Sequence, residues 1–102
     1  MRDVIIPAEI KPLPKQRVRA ARGLQDLGFR ILQIGTTISV DGPKALWEST
    51  FNVSFEARKK TIIEEAEEEI TWHKAVVDDM RIPTELQEFV DEVLFVEPPE
   101  FY

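Results

Sequence analysis

The chain has 102 residues, a formal net charge of −6, 43% hydrophobic residues and no cysteine. This length and composition suit one globular domain over residues 1–102 with a single core, and the lack of thiols excludes a disulfide framework and a cysteine-based metal site. The negative charge disfavours nucleic acid as a partner, because Lys and Arg contacts to phosphates dominate such binding.

The N-terminal stretch MRDVIIPAEIKPLPK contains acids and prolines and no long apolar core. A signal peptide or a membrane span requires such a core. We therefore expect no membrane segment and a cytoplasmic location, unless the chain was cut from a longer precursor. A weak strand is predicted over residues 3–6.

The first helix is predicted to start near Pro14, which suits a first-turn position. Its buried face is indicated by four apolar residues at helical spacing: Val18, Ala21, Leu24 and Leu27. Gly28 is expected to form the left-handed cap at the end of this helix.

Two short apolar runs, over residues 29–34 and 38–40, predict a β-hairpin around Gly35-Thr36-Thr37. Asp41 or Gly42 is then expected to cap a second helix, with Pro43 at its first position. The predicted buried face of this helix consists of Leu46, Trp47, Thr50 and Phe51.

Val53, Phe55 and Ala57 alternate with polar residues and predict a strand after the second helix. The complete order is β-α-β-β-α-β, the split βαβ or ferredoxin-like arrangement. We therefore expect an α+β fold in which two helices cover one face of an antiparallel sheet. Trp47 and Phe51 are expected in its core, whereas Trp72 is less predictable and could be exposed.

Residues 58–80 leave two structures open. The run EEAEEEI favours helix by propensity, while Ile62-Ile63 and Ile70-Thr71-Trp72 suit strand ends. A long hairpin or an extended arm is therefore as compatible with this segment as a helix.

An additional C-terminal helix is predicted from Pro83, because Leu86, Phe89, Val90 and Val93 follow at helical spacing. Residues 94–96 should then run extended, and the prolines at 98 and 99 prevent a further helix. Residues 97–102 are expected to form an extended C-terminal tail.

Four segments resemble the pro-kumamolisin activation domain, which is the propeptide of sedolisin-type serine-carboxyl peptidases. They are GFRILQIG, TISVDGP, KALWESTFNVSF and IPTELQEFVDEVLFVE. The resemblance covers residues 17–96 and depends on the order and spacing of hydrophobic patterns and turn residues. The final stretch VLFVEPPEFY is also similar to the tail of subtilisin-type propeptides.

The resemblance to subtilisin-type propeptides implies a role for the tail, since those propeptides lay their last residues along the protease cleft. Carried across, Tyr102 would fill the specificity pocket, and Pro99, Glu100 and Phe101 would occupy the preceding subsites. Such peptides bind as an added strand. The chain departs from this pattern because Pro98 and Pro99 lack backbone donors, and because sedolisin propeptides have a longer linker after the final helix.

No motif in the chain indicates catalysis, a metal or a cofactor. His73 is the single histidine, and Ser39, Ser49 and Ser54 lie outside any nucleophile motif such as G-x-S-x-G. The acidic pairs Asp78-Asp79 and Glu64-Glu65 lack the spacing of a cation site. We therefore expect a protein that is not an enzyme.

Two classes of function remain. The preferred hypothesis is a stand-alone propeptide-like domain that binds a subtilase or sedolisin serine peptidase as an inhibitor or folding chaperone. The alternative is a non-enzymatic module that forms homo-oligomers through an exposed sheet face or edge. Ligand sensing, as in other ferredoxin-like domains, would depend on fold analogy alone.

Charge is unevenly distributed along the chain. Residues 11–22 are rich in Lys and Arg, whereas five glutamates fall within residues 64–69. These runs are either solvated faces or surfaces that meet molecules of opposite charge, including copies of the same protein.

Overall fold

The computed structural model describes residues 4–63 and 68–96, which form two helices and six strands. The helices are α1 (Arg17–Asp26) and α2 (Lys44–Phe51). The strands are β1 (Ile5–Pro12), β2 (Arg30–Ile34), β3 (Ile38–Pro43), β4 (Ser54–Ile63), β5 (Glu68–Val76) and β6 (Val90–Phe95). A short 3-10 helix at Thr84–Leu86 precedes β6. Within these residues no helix is long and apolar enough to cross a membrane.

The larger sheet has four strands in the order β2-β3-β1-β6, and every neighbouring pair is antiparallel. Strand β1 is central and pairs on one side with β3 and on the other with β6. Ile10, for example, lies opposite Ile38 of β3 and Val93 of β6. The predicted α+β class and the antiparallel sheet are confirmed, and β1 extends to Pro12 rather than ending near residue 6.

One face of this sheet carries the core. Ile6, Ala8 and Ile10 alternate along β1 with exposed or half-buried residues, as expected of a strand with one covered face. These side chains share one cluster with residues of both helices, so α1 and α2 cover the same face of the sheet. The helical members of the cluster are Ala20, Ala21, Leu24, Trp47 and Phe51.

Helix α1 ends as the sequence predicts. Gly28 has a φ of 110°, which glycine adopts without steric cost. Its amide donates to the Gln25 carbonyl and the Phe29 amide donates to the Leu24 carbonyl, the two bonds of a Schellman motif. The predicted burial of Val18 is wrong: its side chain is 67% exposed, because the buried face of α1 runs through Ala20, Ala21 and Leu24.

The predicted hairpin β2–β3 is confirmed, but β3 continues to Pro43 instead of ending at Val40. Asp41 and Gly42 pair with β1 and cannot cap α2. Pro43 occupies the N-cap position instead, and the Lys44 amide donates to the Val4 carbonyl at 2.8 Å. A backbone acceptor from the chain before β1 therefore replaces the predicted side-chain cap.

The strand predicted after α2 does not join the larger sheet. Strand β4 pairs with β5 in a separate two-stranded antiparallel sheet. The long hairpin left open for residues 58–80 is therefore present, with Ser54 opposite Val76 and Ala57 opposite His73. The tertiary pairing of β4 with β5 outweighs the helix propensity of the glutamates at the start of β5. Trp72 is half-buried on β5.

The predicted C-terminal helix is wrong, since this segment forms the 3-10 turn and then strand β6. The register shifts where Pro12 pairs with Val90 and Lys11 pairs with Glu92, which leaves Asp91 as an extra residue. Such a bulge puts two inward-facing valines, Val90 and Val93, three residues apart. A bulged strand thus has the same apolar spacing as a helical seam.

Gly42 provides a test of the packing between β3 and the first helix–strand junction. A Cβ atom added there would lie 2.7 Å from Cδ1 of Phe29, whose side chain is buried. We expect Gly42→Ala to lower the free energy of unfolding by about 1–3 kcal/mol, as overpacked core substitutions do. Urea unfolding followed by tryptophan fluorescence measures this change.

Gly35→Ala is the matched control, because an added Cβ would have only the Thr37 carbonyl oxygen nearby, at 3.7 Å. It should change the free energy of unfolding by less than about 0.5 kcal/mol. Equal effects of the two substitutions would contradict the close packing of Gly42.

Candidate protein-binding surfaces

The sheet face opposite the helices, here called the open face, is mainly polar. Its centre contains Glu9 on β1, which lies opposite Ser39 on β3. The Ser39 hydroxyl donates to Glu9 Oε1 at 2.8 Å, and Thr37 Oγ1 is 3.4 Å from the same oxygen. These contacts hold the carboxylate in one position, and neither of the described helices covers it.

Arg30 and Asp41 form the strongest ion pair on the same face. Arg30 donates from Nε to Oδ1 at 3.1 Å and from Nη2 to Oδ2 at 2.6 Å, a bidentate geometry. The hydrogen bond to Asp41 and its negative charge raise the pKa of the Arg30 guanidinium. The Asp41 side chain is only 10% exposed, whereas that of Arg30 is 72% exposed, so the arginine covers a carboxylate that the sheet has partly desolvated.

Sequence analysis missed this pair because it assigned Asp41 to a helix cap. The register of the β2–β3 hairpin would have predicted the pair, since Arg30 lies directly opposite Asp41. Opposite charges at facing positions stabilise an antiparallel pair. The bulge at Leu32 also had to be known, because it shifts the register of the remainder of β2.

A groove of about 460 Å³ separates the outer edge of β6 from β5. Within the described residues β6 pairs only with β1 and β5 pairs only with β4, so two strand edges border this groove. Most of its lining is apolar: Ala75, Val77, Met80, Val93, Leu94, Phe95 and Val96, together with His73, Lys74 and Glu92. An apolar groove beside an unpaired strand edge suits an extended peptide that adds as a strand.

The four predicted binding residues, Pro99, Glu100, Phe101 and Tyr102, lie outside the described residues. Strand β6 ends at Phe95, and Val96 is the last described residue before them. In the sequence, the predicted tail therefore follows directly from the strand that borders the groove.

Of the groups considered for catalysis, Ser54 lies in the same β4–β5 hairpin as His73, opposite Val76, whereas Ser39 and Ser49 lie in other elements. Ser39 is on the open face and Ser49 donates to the Leu46 carbonyl within α2. His73 lies on β5 opposite Ala57 and lines the groove. In the described part of the chain no three His, Asp or Glu side chains are grouped as a metal site would require.

A second cavity, of about 720 Å³, lies at the start of α1 and is lined by basic side chains. Lys15, Arg17, Arg19 and Arg22 all border it and are all exposed. Arg17 Nη1 donates to the Gly35 carbonyl at 2.9 Å, which ties the first turn of α1 to the β2–β3 turn. Sequence analysis predicted the basic run but not the cavity.

For the Arg30–Asp41 pair we expect that replacing the arginine alone destabilises the protein more than replacing both residues. Arg30→Leu should lower the urea midpoint, because it leaves a largely buried carboxylate without its two donors. Replacing both residues by leucine should recover much of the loss, since no charged group is then left unpaired. Arg22→Leu is the control, because in the described part of the chain Arg22 has no ion-pair partner. A midpoint for Arg30→Leu equal to that of the control would refute the prediction.

Comparison with known proteins gave no match to this chain among family models, curated proteins or solved structures. The resemblance to peptidase propeptides therefore stays a prediction from the sequence.

Proposed function

We propose that this protein is a non-enzymatic, propeptide-like domain that binds a subtilase- or sedolisin-type serine peptidase as an inhibitor or folding partner. The observation that carries the proposal is the position of the apolar groove beside the open edge of β6, next to a sheet face that no helix covers. The open face offers a broad contact area, and the edge of β6 offers a place where an extended chain can add as a strand.

The strand order supports this proposal. If β6 is taken as the fourth strand, the order β2-β3-β1-β6 with α1 and α2 on one face corresponds to the ferredoxin-like arrangement. The β4–β5 hairpin is then an insertion between the second helix and the last strand. We propose this ferredoxin-like assignment together with the function, because subtilisin-type propeptides have the same fold.

The proposed mechanism has two parts. The open face, including Glu9 and Leu94, docks on the peptidase, and residues 97–102 extend from β6 into the substrate cleft. Tyr102 occupies the specificity pocket, with Phe101, Glu100 and Pro99 in the preceding subsites. Pro98 and Pro99 cannot donate backbone hydrogen bonds, so main-chain pairing in the cleft depends on the last three residues.

Inhibition of purified peptidases tests the tail. The intact chain should inhibit at least one subtilisin- or sedolisin-type enzyme at micromolar concentration, and a chain ending at Glu97 should inhibit roughly 30-fold less well, the effect of losing one anchor residue. Tyr102→Ala should account for most of that loss. No inhibition across a panel of both peptidase types, together with no effect of tail removal, would contradict the proposal.

Two exposed apolar side chains on opposite edges of the sheet test the docking surface. Leu94 on β6 is 46% exposed and Ile34 on β2 is 48% exposed. Leu94→Glu should raise the inhibition constant about tenfold or more, because it places a charge in the docking surface. Ile34→Glu, a matched change on the far edge, should leave it within about twofold. The reverse order of effects would exclude docking through β6.

A further inference from the structure

The cavity at the start of α1 belongs to a strongly basic part of an acidic chain. Residues 10–25 include five basic residues and no acidic one, so their charge is +5, while the whole chain carries −6. Lys15, Arg17, Arg19 and Arg22 border the cavity and are here called the basic surface. Among residues 4–63 and 68–96 none of these four forms an ion pair.

The described acidic neighbours of the basic surface form no ion pair with it. Asp26 and Glu85 share a smaller adjoining cavity with Arg19 and Arg22, but neither acid lies within ion-pair distance of an arginine. Four exposed cations that repel one another at close range favour the binding of a negatively charged group.

Apolar surface and an open strand edge accompany these charges. Val18 is exposed on α1, and Leu32 and Ile34 are exposed on β2, the strand against which α1 packs. Strand β2 pairs only with β3 in the described part of the chain. An acidic polypeptide can pair with the strand edge, contact the apolar side chains and bind the cations through its carboxylates. A bare phosphate or a nucleic acid backbone would contact only the cations.

The chain itself contains a segment of matching charge. Five glutamates occupy positions 64, 65, 67, 68 and 69, so residues 64–69 carry a charge of −5. In the sequence this run falls where strand β4 gives way to β5. Helix α1 packs mainly against β2 and the 3-10 helix. The four basic side chains are exposed among the described residues and can therefore meet a segment from another molecule.

We propose that the basic surface binds the glutamate-rich segment, residues 64–69, of a second copy of this chain. The four positive charges of the basic surface offset most of the five negative charges of the segment in this contact, whereas the net charge of −6 on each copy opposes the approach of two copies in other orientations. At physiological salt the Debye length is about 8 Å, so contacts between the two segments persist while longer-range repulsion is screened. This contact uses α1 rather than β6 and does not depend on the proposed function.

A charge-exchange experiment tests the contact. One variant of the full chain carries Arg19→Glu and Arg22→Glu, and the other carries Glu67→Lys and Glu68→Lys. Each variant alone should self-associate roughly tenfold more weakly than the unaltered chain, as measured by sedimentation equilibrium, because the double substitution removes most of the charge on one side of the contact. An equimolar mixture should recover association, since the unaltered basic surface of the second variant can bind the unaltered glutamate-rich segment of the first.

The control carries Lys44→Glu and Arg81→Glu, which change the net charge by the same amount as the Arg19/Arg22 variant at positions outside the basic surface, the glutamate-rich segment and the groove beside β6. It should associate like the unaltered chain, and the association of both should disappear near 1 M salt, where the Debye length is about 3 Å. Circular dichroism checks that every variant is folded. The proposal is overturned by a monomer at every concentration, by failure of the mixture to recover, or by binding of duplex DNA or phosphate without self-association.

Discussion

The indole of Trp47 is the contact on which the rest of the structure depends. Its ring packs against Phe29, Phe51 and Phe95, with centroids 4.4, 5.2 and 5.0 Å away. Its Nε1 donates to the Ile6 carbonyl at 2.9 Å, so this fully buried side chain has no unpaired polar atom. One side chain thereby joins α2 to the central strand, to the start of the β2–β3 hairpin and to the last strand.

Packing both helices around this centre leaves the other side of the sheet uncovered. A two-layer fold buries one face of its sheet and exposes the other, and here the exposed face is fixed by Glu9, Ser39 and the Arg30–Asp41 pair. The same arrangement leaves β6 with a single neighbour among the described strands. The proposed protein-binding role uses this geometry, because an uncovered sheet face offers contact area and a strand edge can accept an added strand.

The basic surface and the glutamate run are two strongly charged features of the chain. The side chains of the basic surface lie outside the core, and the glutamate run at positions 64–69 follows Ile63, the last residue of β4, and ends within β5. In the described part of the chain the ion pairs involve none of the four side chains of the basic surface. Exposed charges of this kind can specify a partner, because complementary charge governs encounter and register more than folding.

The sequence by itself determined the local features: α1 with its cap at Gly28, the β2–β3 hairpin, α2 with Trp47 and Phe51 buried, and the basic and acidic runs. These depend on periodicity and turn residues, which act over a few positions. Only the tertiary structure decided that β4 pairs with β5 and that the segment after Pro83 forms β6. Val90 and Val93 have the spacing of a helix because of the bulge at Asp91, and that bulge exists only where the segment meets β1. The open edge and the apolar groove are likewise products of strand order, which depends on pairings between residues far apart in the chain.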